Sequence, residues 1–229
     1  LFNRALSGQY PPGSTVKPFI GLAGLESEVT QIHERIWCPG WYSLKGHSHK
    51  YRDWKKHGHG RVNLDTAITQ SCDVYFYELA LALGIDQMHE FMTAIGFGQK
   101  TGIDLNGEAA GLMPSKEWKR QAKNKPWYPG ETLITGIGQG FILTTPVQLA
   151  SATATLGMRG LRLTPAAGVV LQDTTTHLTT ALTIETALSV RQTDPKHWER
   201  IIGAMENVVH GLRGTARRIG VGIPYKIAG

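Results

Sequence analysis

Pro11-Pro12-Gly13-Ser14-Thr15-Val16-Lys17-Pro18-Phe19 joins a tight turn to a serine, a lysine three residues later, and apolar residues at helical spacing. Pro11, Pro12 and Gly13 break whatever precedes, and Ser14 is placed to cap a helix predicted to run to about Val29. Pro18 falls in the first turn, where a missing N–H costs nothing. Residues three apart share a helix face, so Lys17 is predicted to lie against Ser14. Serine is a weak nucleophile until its proton is removed. Lysine removes it only when neutral, a form favoured by desolvation or a neighbouring cation. The helix N-terminus adds about 0.3–1 kcal/mol toward an anionic Oγ. A capping serine followed by a surface lysine has the same spacing, so this pair means chemistry only in company.

The 229 residues are 41% apolar and only 18% charged, enough for one sizeable core and against disorder. A net charge of +6 suits an acidic partner. No arginine-rich stripe or nucleic-acid motif accompanies it, which argues against nucleic acid and leaves an anionic polymer or membrane surface open. No run of eighteen apolar residues occurs that would span a bilayer. Leu1 is not a methionine, and Tyr225-Lys226-Ile227-Ala228-Gly229 reads as a strand cut short, so the chain is read as an excerpt of a longer protein.

After the first helix, residues from about Thr30 to Arg61 form a long irregular region with five of the nine histidines: His33, His47, His49, His57 and His59. Loops of this length are functional, metal-stapled or disordered, and Trp37, Trp41, Tyr42, Tyr51 and Trp54 argue against disorder. Helical periodicity resumes at Leu64 and passes Ser71-Cys72-Asp73, with Asp73 or Ser71 as a cap and a stop at Gly84. A further helix is predicted from Asp86 to Ile95, with Asp86 as cap and Gly96 as stop. Ser115 caps a short helix made positive by Lys116, Lys119, Arg120, Lys123 and Lys125, which reads first as a solvated charged face. Gly136-Ile137-Gly138-Gln139-Gly140 is a flexible turn, Thr145-Pro146 opens a helix to about Leu156, short strands fall between Leu161 and Leu171, and Asp194-Pro195 opens the last helix.

Two further clusters carry chemistry. At a helix junction, the hydroxyl of Ser71 and the carboxyl of Asp73 can both turn into a cleft, one relaying a proton and the other binding Lys17 or substrate backbone. Cys38 and Cys72, the only cysteines, combine with Asp53 and His59 into a reasonable tetrahedral zinc set, although the spacing matches no short zinc-finger pattern. A Cys38–Cys72 disulfide has similar weight, and His57 competes with His59 for the histidine position.

Ser14-x-x-Lys17 followed by Ser71-x-Asp73 has the motif order of penicillin-binding proteins and serine β-lactamases. More of the chain resembles the penicillin-binding protein 2 family, the class B transpeptidases of bacterial elongation. The resemblance is carried by Gly8 to Phe19, Tyr51-Arg52-Asp53-Trp54-Lys55-Lys56, Gly58-His59-Gly60, Thr101-Gly102-Ile103-Asp104-Leu105, Lys125-Pro126-Trp127-Tyr128 and Gly136 to Gly140. It runs nearly end to end and is least distinctive from about Gly168 to Asp194. It implies Ser14 as the acylated nucleophile, Lys17 as general base, Ser71 with Asp73 as the second motif, and stem peptides ending in D-Ala-D-Ala as substrate. It also implies a structural zinc at Cys38, Asp53, His59 and Cys72, with no open coordination position. Lys100-Thr101-Gly102 spells the family's third motif, Lys-Thr/Ser-Gly, but lies in a glycine-rich turn rather than on a strand. The true motif, which would bind substrate and supply one oxyanion donor, is expected beyond Gly229.

The fold implied is α/β (α+β), the penicillin-binding/serine β-lactamase-like transpeptidase fold. Residues 1–229 are expected to form a partial transpeptidase domain dominated by the helical subdomain. Most of the antiparallel sheet, the upstream anchor and the pedestal would lie outside it. The resemblance further implies a periplasmic domain tethered to the inner membrane, β-lactams as covalent ligands, and a RodA-like glycosyltransferase and MreC as partners. The alternatives are a D,D-carboxypeptidase or β-lactamase, in which water replaces the acceptor amine, or a non-catalytic penicillin-recognising domain. Losing one oxyanion donor typically costs about 10²–10³ in rate. These 229 residues made alone are therefore expected not to label with fluorescent penicillin at the intact protein's rate, which a gel-based labelling time course checks.

Overall fold

The computed structural model describes residues 2–168, 170–181 and 186–229. Its centre is α2 (Lys17–Glu26), which follows α1 (Arg4–Ser7) and a 3₁₀ turn over Gly13–Val16. Every residue from Lys17 to Leu25 is buried, as expected of a helix that is apolar all round. The first helix therefore starts at Lys17 rather than Ser14 and ends at Glu26 rather than Val29. Ser14 makes no capping bond and sits in the 3₁₀ turn instead. The Pro11-Pro12-Gly13 break, tied by the Gly13 N–H to Gly138 O at 2.8 Å, tightens the chain before α-helical geometry begins.

The segment read as irregular is two antiparallel ladders, one inside the other along the chain. β1 (Ile36–Cys38) pairs with β4 (Gly60–Val62), with Cys38 opposite Gly60. Between them β2 (Trp41–Tyr42) pairs with β3 (Tyr51–Arg52), with Trp41 opposite Arg52. Strands of two or three residues leave little period-two signal to read. Gly58, at φ +73°, permits the close return of the loop: a Cβ there would lie 2.1 Å from Cys38 O.

α3 (Leu64–Thr69) carries a capping box between Asn63 and Thr66. α4 (Asp73–Ile95) continues across Gly84, whose φ of +73° and ψ of 157° divide it into the two helical segments predicted. Asp86 caps neither segment; its carboxylate accepts the Lys116 N–H at 3.3 Å, at the start of α5 (Lys116–Lys123). Ser115 caps α5 as predicted, accepting from the Trp118 N–H at 3.0 Å. The basic face is not wholly solvated. Lys119 is 3% exposed and reaches both carboxylate oxygens of Glu131 at 2.5 and 2.6 Å, beneath the Tyr128 ring. Glu131 belongs to α6 (Pro129–Gly136), a helix the sequence reading did not include.

Thr145 caps α7 (Pro146–Gly157), and Asp194 caps α8 (Pro195–His210), both as predicted. Between them, β5 (Leu161–Leu163) pairs with β8 (Thr186–Ser189), and β6 (Val170–Gln172) pairs with β7 (Thr179–Ala181). Tyr225 to Gly229 form no ladder; the Gly229 N–H donates to Met205 O at 3.0 Å on α8. The core sits around α2, with α3, α4 and α8 packed against it and Phe19 meeting Phe97 edge-on at 5.1 Å. Helices thus dominate, with all strands of the described residues in two-stranded ladders. Among the described residues no helix is long and apolar enough to cross a membrane.

Candidate active site and metal centre

Lys17, at the first position of α2, is 2% exposed. Burying an ammonium is costly unless it is paired and hydrogen-bonded. Its Nζ donates to Ser71 O at 2.9 Å, Ser71 Oγ at 3.0 Å and Asp73 Oδ1 at 2.6 Å. The α3–α4 turn is shaped to supply these three acceptors. Ser71 takes φ +54°, a left-handed conformation costing a non-glycine residue on the order of 1–2 kcal/mol. Cys72 is the helix N-cap residue without a side-chain capping bond, so neither Ser71 nor Asp73 caps α4. Asp53 serves that end instead, its Oδ2 accepting the Val74 N–H at 3.2 Å.

Ser14 and Lys17 meet through a third residue. Ser71 Oγ lies 3.0 Å from Ser14 Oγ and 3.0 Å from Lys17 Nζ. Although i and i+3 share a face across a 3₁₀ turn, both side chains turn to Ser71 Oγ, so the expected direct contact gives way to a bridge. Hydroxyl hydrogens rotate, so a Ser14–Ser71–Lys17 line can pass a proton in either direction. Opposite this line, Gly138, at φ +74°, stands where a Cβ would lie 2.0 Å from Gly13 O. This close approach sets the 137–140 turn beside the nucleophile.

A cavity of about 690 Å³ opens here, lined by Ser14, Ser71 and Asp73 together with Arg52, Trp54 and Gln139. Trp54 entered the sequence reading as an aromatic against disorder and as part of the family-like stretch 51–56, with no site role, yet it clamps the second motif. Its backbone N–H donates to Asp73 Oδ2 at 3.1 Å, and its indole N–H reaches Gln70 O at 3.1 Å and Ser71 O at 3.0 Å. Tyr77, whose hydroxyl is pushed up by burial and then by Asp73, stays protonated and donates to Arg52 O at 3.2 Å. No sequence spacing announces these contacts. A second cavity meets the first at Ser14 and Ser71 and is lined by Met205, Val208, Ala228 and Gly229. Lys100-Thr101-Gly102 lines neither cavity; Glu108 binds the Thr101 and Gly102 N–H groups in a loop.

Beside the second motif, Cys38, Asp53, His59 and Cys72 bring one donor atom each to within 4.8 Å of one another. His57 takes no part in this group. Cys38 Sγ is 3.6 Å from Asp53 Oδ2 and 3.6 Å from His59 Nδ1, and His59 Nδ1 is 3.5 Å from Asp53 Oδ1. The sulfurs are not bonded to each other. Hydrogen bonding from Cys72 brings the Cys38 thiol down to about 6 against opposing burial, while the same pairing and burial push Cys72 up.

The family of the penicillin binding protein transpeptidase domain matches residues 1–229. The chain belongs to this family and has its fold. It is 44% identical over 233 residues to the peptidoglycan D,D-transpeptidase MrdA of Acinetobacter baumannii, and 38% identical over 238 residues to that of Escherichia coli K12. All of the chain is covered in both, but it spans only 33% and 36% of those relatives, about a third of their length. A crystal structure of Pseudomonas aeruginosa PBP2 in complex with WCK 5153 aligns over 99% of the chain and 50% of its own, at 47% identity and TM-score 0.90. A complex between PBP2 and MreC from Helicobacter pylori aligns over 99% of this chain and 40% of that one, at 34% identity and TM-score 0.87.

Asp73→Ala leaves a buried ammonium without its anion, a change worth about 3 kcal/mol. It is expected to lower the melting temperature of the intact protein by roughly 6–12 °C. Adding Lys17→Met to the same variant is expected to recover much of the loss, because the charge needing compensation is gone. Thermal melts of the single and double variants check both.

Proposed function

We infer that this domain performs serine acyl transfer, as the peptidoglycan D,D-transpeptidase of cell elongation. The observation that carries the reading is the Ser14–Ser71–Lys17–Asp73 line at 3.0, 3.0 and 2.6 Å, placed in a cavity able to hold a peptide. Ser14 Oγ attacks the carbonyl between the two D-alanines, and its proton passes through Ser71 Oγ to Lys17 as general base. The tetrahedral intermediate collapses to a Ser14 ester, and the departing D-alanine amine takes the proton back. An amine of a neighbouring stem peptide then attacks the ester, gives up its proton to Lys17, and Ser14 Oγ leaves with that proton returned through Ser71, giving the cross-link and restoring Ser14. Asp73 holds Lys17 in place and stabilises the ammonium that exists while the tetrahedral intermediate stands. A Lys-Thr/Ser-Gly strand continuing past Gly229 would enter the cavity that Ala228 and Gly229 share with Ser14, where it would bind the terminal carboxylate.

An inner-membrane protein with this domain in the periplasm, on the side where peptidoglycan lies, is part of the same proposal; the relatives' names, peptidoglycan D,D-transpeptidases, support the substrate. MreC, named in the Helicobacter complex, and a RodA-like glycosyltransferase are the proposed partners. The latter is supported by a 29% identical chain from a structure described as a peptidoglycan synthase complex coordinating polymerisation and crosslinking. Treated with a penicillin, the intact protein is expected to gain one covalent adduct on Ser14 and none in Ser14→Ala, as read by peptide mass spectrometry. Rapid release of hydrolysed drug would instead make it a β-lactamase, and absence of any adduct a non-catalytic relative.

A structural zinc held by Cys38, Asp53, His59 and Cys72 belongs to the same proposal. Zinc bonds of about 2.0–2.3 Å place tetrahedral ligands roughly 3.3–3.8 Å apart, and the separations of 3.5 and 3.6 Å among Cys38, Asp53 and His59 match that spacing. Four protein donors leave no position for substrate, so the ion would supply only a brace between the nested ladders and the turn carrying Ser71. Elemental analysis is expected to find one zinc per chain, and chelation to lower the melting temperature. Absence of zinc with the two sulfurs titratable or disulfide-linked would overturn it.

A further inference from the structure

Two cavities meet at Ser14 and Ser71, and they differ in charge. The one containing Gly229 is lined mainly by apolar side chains. The other contains Arg52, Asp53, Asp73 and Tyr77 as its titratable groups. Asp73 is occupied by Lys17 and the Trp54 N–H. Asp53 is occupied by the Lys55 and Val74 N–H groups beside Cys38 and His59. Tyr77 is a donor to the backbone. The exposed Arg52 guanidinium has no ion pair and no side-chain hydrogen bond among the described residues, so it is the uncompensated cation of this cavity.

Its backbone is nevertheless fixed. Arg52 pairs with Trp41 across the β2–β3 ladder, and its carbonyl accepts the Tyr77 hydroxyl. Two residues on, Trp54 is 61% exposed although its indole N–H is bound to Gln70 O and Ser71 O. A ring anchored by its edge with most of its surface free is a rigid platform for a peptide segment. A guanidinium fork beside it matches a carboxylate, and the volume of about 690 Å³ suits a peptide rather than a lone ion.

We propose that Arg52, with Trp54 as platform, forms a subsite that binds a side-chain carboxylate of a stem peptide. This proposal rests on the transpeptidase reading and adds to it the recognition of an acidic residue distinct from the terminal D-alanine. The terminal carboxylate belongs to the cavity shared with Gly229, whereas Arg52 lines the other. The carboxylate is supplied either by the donor strand, on the residue preceding the D-Ala pair, or by the acceptor strand.

The test uses the intact protein as wild type, Arg52→Gln and Arg52→Lys. A synthetic pentapeptide ending in D-Ala-D-Ala is supplied with its third-residue side-chain carboxylate free or as the carboxamide. An acceptor tripeptide is supplied in the same two forms. Ser14 acylation and subsequent amide formation are timed separately. Arg52→Gln is expected to slow the acid form about 10- to 100-fold in one of the two steps while leaving the carboxamide unchanged. Arg52→Lys is expected to recover part of that loss. An effect confined to acylation assigns the carboxylate to the donor, and one confined to amide formation assigns it to the acceptor. Equal loss with acid and amide, or no loss in either step, overturns the subsite even when penicillin still labels Ser14. Failure of penicillin to label wild-type Ser14 overturns the transpeptidase reading and the subsite with it.

Discussion

The buried ammonium of Lys17 is the constraint on which the site depends. A cation that is 2% exposed must find oxygen acceptors inside the protein. It finds three, all from the Ser71–Asp73 turn. Two helices far apart in sequence are thereby held in one register, with α2 contributing the amine and the α3–α4 junction contributing the oxygens. The left-handed backbone of Ser71 is the conformational cost of presenting both its carbonyl and its hydroxyl to the same nitrogen.

Behind that turn lies a second layer that keeps it in place. Asp53 accepts the Val74 N–H at the start of α4, and Trp54 binds Asp73 and Ser71 from the other side. Both residues follow β3 directly, so the nested ladders act as a strap across the second motif. Cys38 at the end of β1 and His59 before β4 gather at Asp53, and the strap's open end closes at the same place. A zinc held by these donors would brace the turn that carries Ser71, next in sequence to Cys72.

Legibility varied with how local the physics was. Caps at Ser115, Thr145 and Asp194 were read correctly, because a capping side chain answers to N–H groups two or three residues away. The break at Gly84 was legible for the same reason. The role of Asp86 was not, since its partner lies 30 residues on, at Lys116. Lys119 looked like one of several surface cations until Glu131 and the aromatic rings around it made it a buried one. The ladders of β1 to β4 escaped notice because each is too short to show alternation, and their pairing is decided across intervening chain.

By itself the sequence determined the chemistry available: a serine and a lysine at one helix start, a hydroxyl and a carboxylate at another, and four metal-type donors scattered between them. It also carried enough family resemblance to indicate the fold and to mark Lys100-Thr101-Gly102 as a misleading motif. Only the tertiary structure decided that Ser14 reaches Lys17 through Ser71, that the donors of Cys38, Asp53, His59 and Cys72 gather within 4.8 Å, and that Arg52 has no ion pair among the described residues of the cleft. Spacing along a helix specifies neighbours within a turn. Which distant groups share a buried charge is settled only when the core closes and every polar atom inside it must find a partner.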